Sequence, residues 1–184
     1  MKPLPAALLA LAALAWTGAT LARPPLEVVD AVDLERFQGR WYEIALLPNF
    51  FQRRCVAGTN ANYALLPDGQ IQVINRCQQR DGRWLGVQGV ARLADRNGPT
   101  SRLEVRFAPR WLSWLPLVWG DYNVIALGED YEYALVGSNN RRYLWILARE
   151  PELDEEIYQR LRAEAARQGF DVGRLQKTPQ PDDA

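Results

Sequence analysis

The sequence predicts an all-β fold: an eight-stranded antiparallel up-and-down β-barrel with one C-terminal α-helix packed outside it. Three observations carry this. Between Trp41 and Arg149 the chain breaks into short β-rich runs separated by Pro, Gly, Asn and Asp clusters. Several of those runs alternate apolar with polar residues, as a strand with one buried face must. After Pro151 the period changes, and Leu153, Ile157, Leu161 and Ala165 recur at helical spacing.

A short helical turn, Asp33-Leu34-Glu35-Arg36-Phe37, precedes the first strand. That strand runs from Trp41 to Leu47 and ends at Pro48-Asn49. The second runs from Thr59 to Leu66, and Pro67-Asp68-Gly69 supplies hairpin chemistry before the third, Gln70 to Cys77. Asp81-Gly82 turns the chain into the fourth, Trp84 to Leu93. The stretch from Asp95 to Pro99 leads to the fifth, Arg102 to Phe107, where Leu103, Val105 and Phe107 alternate with Arg102, Glu104 and Arg106. Trp119 to Leu127, Tyr131 to Gly137 and Tyr143 to Arg149 complete the eight, with turns at Gly128-Glu129-Asp130 and Ser138-Asn139-Asn140. Sequential strands on short loops suit a closed barrel, which has no exposed sheet edges. The helix that follows carries acids in its first turn and Arg167 in its last, matching the macrodipole, and Gly169 ends it.

Residues 1–22 read as a secretory signal peptide: Lys2, an apolar run from Leu8 to Trp16, then the small-residue site Thr20-Leu21-Ala22 before Arg23. The apolar run is too short to span a bilayer. Residues 23–178 then form one domain of ordinary size, and the polar residues 179–184 are expected to be a flexible tail. The expected location is the periplasm.

Charge is balanced, with 22 basic and 22 acidic residues, and nothing in the sequence calls for a nucleic-acid partner. The chain has no His, which removes the commonest general base and metal ligand together. No metal site and no cofactor are expected. In an exported chain Cys55 and Cys77 are expected to form a disulfide. They stand at unequal distances from the Asp68-Gly69 turn, so the bridge requires a bulge or a bent approach strand.

Several segments together carry a family resemblance. Gly39-Arg40-Trp41-Tyr42-Glu43-Ile44-Ala45 opens the first strand, and Tyr143 to Arg149 forms the last. Between them stand Tyr63, Val73-Ile74-Asn75, the run from Tyr122 to Leu127 and Tyr133-Ala134-Leu135-Val136. This set resembles the lipocalin family, and most closely the bacterial lipocalins and apolipoprotein D. The resemblance implies a ligand-binding calyx, with Trp41 at the barrel floor and Arg149 stacked across it as a cation–π pair beside Gly39. It implies a hydrophobic ligand (a fatty acid, phospholipid or lysophospholipid) stored or transported for cell-envelope maintenance, in a protein that is not an enzyme. Bacterial lipocalins of the outer-membrane lipoprotein type carry lipid on an N-terminal Cys. The first Cys here is Cys55, so this chain departs from that pattern, though an outer-membrane association is compatible with the family.

Periodicity and resemblance together give the ligand-lining set. With Trp41 facing inward, Glu43, Ala45 and Leu47 follow, joined by Tyr63, Val73, Asn75, Val87, Val105, Phe107, Tyr143 and Trp145. Ile71, Gly89 and Leu147 share that inward face, and the parity of the strand from Trp119 to Leu127 is open. An inward Glu43 needs a neighbour, a water or a polar head group, because an unpartnered buried carboxylate is costly. In this plan the mouth loops span residues 48–58, 78–83, 108–118 and 138–142. Two are apolar: one holds Phe50 and Phe51, the other Trp111, Trp114, Leu115 and Leu117. A contiguous apolar loop implies a contact. Three are open: a lid on the ligand, a peripheral membrane contact, or a homodimer interface. Rival functional classes are a protein-interaction module built on that loop, an enzyme on the same barrel, and a haem carrier ligated by Tyr63 or Tyr143.

Overall fold

The computed structural model describes residues 24–181, so the segment read as a signal peptide lies outside the described residues. The chain enters through α1 (Leu34–Phe37), whose N-cap Asp33 accepts hydrogen bonds from the Glu35 and Arg36 amides. Eight antiparallel strands follow: β1 (Gly39–Leu46), β2 (Ala57–Leu65), β3 (Ile71–Gln78), β4 (Trp84–Leu93), β5 (Arg102–Arg106), β6 (Gly120–Leu127), β7 (Tyr133–Gly137) and β8 (Leu144–Ala148). Each pairs with its sequence neighbour, and β1 pairs with both β2 and β8, which closes the barrel. Two mouth-loop segments wind into 3₁₀ turns, Arg110–Leu112 and Pro116–Val118. The helix α2 (Glu155–Arg167) packs outside, and β9 (Gln176–Lys177) adds to the upper half of β1.

The pairing of β1 with β2 is short, from Gly39↔Tyr63 to Tyr42↔Asn60. Above it the two strands diverge, and the C-terminal segment fills the gap. The Thr178 amide donates to the Ile44 carbonyl at 2.9 Å, and the Gly58 amide donates to the Pro179 carbonyl at 2.8 Å. Gln180 Nε2 bridges the seam, donating to the carbonyls of Glu43 at 2.7 Å and Thr59 at 3.1 Å. The expected loose tail therefore needs correction at Pro179 and Gln180. Strand edges that part inside a sheet leave unpaired donors and acceptors, and polar residues satisfy them.

Two apolar layers share the barrel wall. Inside, Phe37, Trp41, Tyr63, Ile71, Val73, Leu103, Val136 and Leu147 fill the floor. Outside, Ile44, Leu135, Leu144 and Ile146 pack against Tyr158, Leu161, Ala165 and Phe170. The stripe predicted for the helix is correct in its later members. Leu153 precedes the first turn, because Asp154 caps the helix by accepting from the amides of Glu156 and Ile157. Gly169 takes φ +85° and turns the chain so that Phe170 returns to the wall beside Gly137, where an added Cβ would lie 2.6 Å from the Phe170 ring.

Arg149 closes the floor. Its guanidinium carbon lies 4.0 Å above the Trp41 ring. Nη1 donates to the carbonyls of Gln38 at 2.8 Å and Arg40 at 2.9 Å, Nη2 to that of Arg36 at 2.7 Å, and Nε to that of Tyr131 at 3.2 Å. Gly39 has φ +89°, a conformation that favours glycine, and it brings the turn against Nη1, to which an added Cβ would lie at 3.4 Å. Removing the side chain leaves these carbonyls without their donor and the indole face without its cation. Arg149→Ala is expected to lower stability by about 2–4 kcal/mol in urea unfolding while leaving ligand selectivity unchanged. An unchanged midpoint would contradict the floor assignment.

Candidate functional site

The inner wall can be followed upward from Trp41, which is fully buried and stacked on Phe37 at 4.7 Å between ring centres. Above it the hydroxyls of Tyr63 and Tyr122 meet at 2.9 Å. Burial pushes the Tyr63 hydroxyl up to about 12 and raises that of Tyr122 as well, so the pair is neutral. A residual void of about 10 Å³ remains among Phe37, Tyr63, Ile71, Val73, Ala91, Leu103 and Tyr122. The lower half of the barrel is therefore packed with side chains.

The upper half is open. Cross-strand pairs place Val73 beside Gly89, Asn75 beside Val87, and Ala91 beside Val105, all on the inner face. Phe107 lies across Gly89, where an added Cβ would come within 2.7 Å of its ring. Val87 is 46% exposed and Phe107 42% exposed, although both face the barrel lumen. Asn75 Oδ1 is buried and has no hydrogen-bond donor among the described residues. Across the lumen, Tyr143 and Trp145 stack at 6.1 Å, and Phe51 leans on them from the first mouth loop at 5.3 and 6.3 Å. Phe50 meets Phe51 edge-on at 5.1 Å.

Glu43 is buried, and two donors hold it. Gln52 Nε2 donates to Oε2 and Thr178 Oγ1 donates to Oε1, each at 2.6 Å. Gln52 is itself oriented by its Oε1, which accepts from Trp145 Nε1 at 2.9 Å and Asn49 Nδ2 at 2.7 Å. The carboxylate thus ties the first mouth loop to the C-terminal segment and is satisfied within the protein. Desolvation raises its pKa, and the two hydrogen bonds partly oppose that rise.

The inward set needs two corrections, and both come from one bulge. The β1–β8 register shifts between Glu43 and Ala45: Glu43 opposes Leu147, yet Ala45 opposes Ile146. The extra residue reverses the parity of the strand above it. Ala45 and Leu47 therefore join the outer layer under α2, and Leu46, opposite Trp145, takes the inward position. Tyr122 and Val124 face inward, and across a second shift, between Val124 and Ala126 of β6, Ile125 and Ala126 both join the outer layer. This settles the parity that alternation left open. Tyr63 and Val73 sit in the packed lower barrel, and Asn75, Val87, Val105, Phe107, Tyr143 and Trp145 face inward above them. Gln52 and Thr178 were missed, because single polar residues in a loop and a tail carry no periodic signal.

At the rim, Cys55 and Cys77 form the expected disulfide, with Cα atoms 5.4 Å apart, and the β2–β3 register shifts between Ala57 and Asn60 as the unequal spacing required. Trp111, Trp114 and Leu117 point to solvent, at 73%, 75% and 85% exposure, while Leu115 is half-buried. Trp119 does not belong to this patch. The guanidiniums of Arg92, at 3.8 Å, and Arg106, at 5.2 Å, both lie over its ring. Among the described residues no cluster of His, Cys, Asp or Glu could hold a metal ion, and no helix is long and apolar enough to cross a membrane.

The raised pKa of Glu43 has a defined sign in stability. The folded state holds this proton more tightly than the unfolded chain does, so the contribution is full below the ordinary value of 4.5 and is lost as pH rises through the folded value. Glu43→Gln can accept from Gln52 and donate to Thr178. It is expected to flatten the fall of stability above pH 4.5, measured as urea midpoints against pH. A variant that keeps the native slope would show that Glu43 does not set it.

Comparison with known proteins agrees with this geometry. A family model described as a lipocalin-like domain matches residues 32–180. Temperature-induced lipocalin-1 of Arabidopsis thaliana is 42% identical over 158 residues, 85% of this chain and 84% of the relative. The outer membrane lipoprotein Blc of Escherichia coli K12 is 36% identical over 184 residues, 98% of this chain and 99% of the relative. Among solved structures, insecticyanin from the tobacco hornworm Manduca sexta superposes with a TM-score of 0.69 at 19% identity, covering 89% of this chain and 88% of that one.

Proposed function

The chain belongs to the lipocalin-like family, and from that premise we propose that it is an exported carrier of a single-chain lipid held in the upper half of the barrel. One observation carries the reading: large apolar side chains on the lumen wall, Val87 and Phe107, stand exposed above a packed floor. Covering such surface is worth about 25 cal/mol per Å² before the costs of association, and a hydrocarbon chain covers it. Glu43, Leu46, Tyr63, Val73, Asn75, Val105, Tyr143 and Trp145 complete the lining, with Glu43 a positioning group already paired inside the protein.

Lysophospholipid fits this lining better than free fatty acid. The inward-facing residues include no Lys or Arg to neutralise a carboxylate, whereas the unpartnered Asn75 Oδ1 can accept from a glycerol hydroxyl. A role in maintaining a bacterial cell envelope, from the periplasm, rests on the signal-like N-terminus and on the relative described as an outer membrane lipoprotein. The reading is of a binding protein rather than an enzyme.

Val87→Glu tests the site without touching the floor. A lipid chain lying on this position would bury the new carboxylate, so tryptophan-fluorescence titration with a lysophospholipid is expected to give a Kd raised at least about tenfold, equivalent to about 1.4 kcal/mol. Unchanged affinity would place the ligand elsewhere.

A further inference from the structure

The balanced charge of the chain conceals a strong segregation along the barrel axis. Connections between β1 and β2, β3 and β4, β5 and β6, and β7 and β8 all lie at the mouth. They carry exposed Arg53, Arg54, Arg80, Arg83, Arg110 and Arg142, against a single acid, Asp81, which pairs with Arg83 at 2.7 Å. Connections at the closed end carry exposed Asp68, Asp95, Glu129, Asp130, Glu150 and Glu152, with Arg96 and Arg149 as the cations of those turns. The basic end is also the apolar end. Phe50 is 66% exposed on the first mouth loop, and Trp111, Trp114 and Leu117 stand out from the third.

We propose that the mouth face docks on an anionic lipid bilayer, with the Trp111–Leu117 loop entering the interface and the surrounding arginines against lipid phosphates. Charge complementarity selects this occupant. Indole rings settle at the boundary between head groups and acyl chains, where one side is apolar and the other wet. Arginines beside them meet the negative surface potential, while the acidic closed end is repelled and turned away. The same orientation sets the open lumen against the membrane, so that a lipid chain passes from bilayer to calyx without crossing water. Docking goes beyond the carrier reading, because an empty barrel presents the same face.

Flotation of the mature protein with vesicles tests the proposal. Vesicles of phosphatidylcholine with about one third phosphatidylglycerol are expected to carry the protein with them, and phosphatidylcholine vesicles to carry at least tenfold less. Raising salt to about 0.5 M, where the Debye length falls to a few ångströms, is expected to release most of it. Trp111→Ser/Trp114→Ser and Arg110→Glu/Arg142→Glu are each expected to cut binding to the anionic vesicles at least tenfold. Both double variants should retain wild-type affinity for a monomeric lysophospholipid in solution, which separates loss of docking from loss of the calyx. Equal flotation on both vesicle types would overturn the proposal. So would native binding by either double variant, or a protein dimer that Trp111→Ser/Trp114→Ser splits and that ignores vesicles.

Discussion

Every other feature of this barrel depends on how one end is shut. Arg149 lies flat on Trp41 and donates to carbonyls of α1, of the turn into β1 and of the β6–β7 connection. One guanidinium thus joins both termini of the strand series and seals the floor. The contact combines cation–π attraction with charge-assisted hydrogen bonds, and the planar fork of Arg suits both at once. With the floor sealed, apolar residues above it can be left uncovered at one end only. That asymmetry makes a cup rather than a core.

The wall of the cup is set by where the strands depart from regularity. The bulge at Glu43–Ala45 lets β1 serve two masters, presenting Glu43 and Leu46 to the lumen and Ala45 and Leu47 to the helix. The shift in β6 does the same, giving both Ile125 and Ala126 to the outer layer while Val124 stays inward. Both bulges flank the wall on which α2 packs, where strands must bury both faces. On the opposite wall β3 and β4 keep strict alternation, and there the lumen side stays open to solvent at Val87.

Most of the architecture was legible in the sequence because the physics is periodic. Leu103, Val105 and Phe107 alternate with charged residues, and Leu161 and Ala165 fall on one helical stripe. The eight strands and the external helix follow from such patterns, whereas the disulfide was expected from two Cys in a chain read as exported. Ala45 and Leu47 were misplaced because a bulge changes parity without disturbing composition. Pro179 and Gln180 were misread because a polar tail that satisfies a strand seam looks the same as a solvated one. The charge segregation was present in the connections but hidden in the total, since it emerges only when alternate loops are assigned to opposite ends.

Taken together, a sealed floor, a packed lower barrel and an exposed apolar upper wall are what support the proposed carrier of a single-chain lipid. The most direct test is to purify the protein without detergent, extract it with organic solvent and identify the extract by mass spectrometry. A single-chain lipid, a lysophospholipid foremost, is expected in near-stoichiometric amount if the carrier reading holds. An empty extract, together with no tryptophan quenching when lysophospholipid is added, would contradict it.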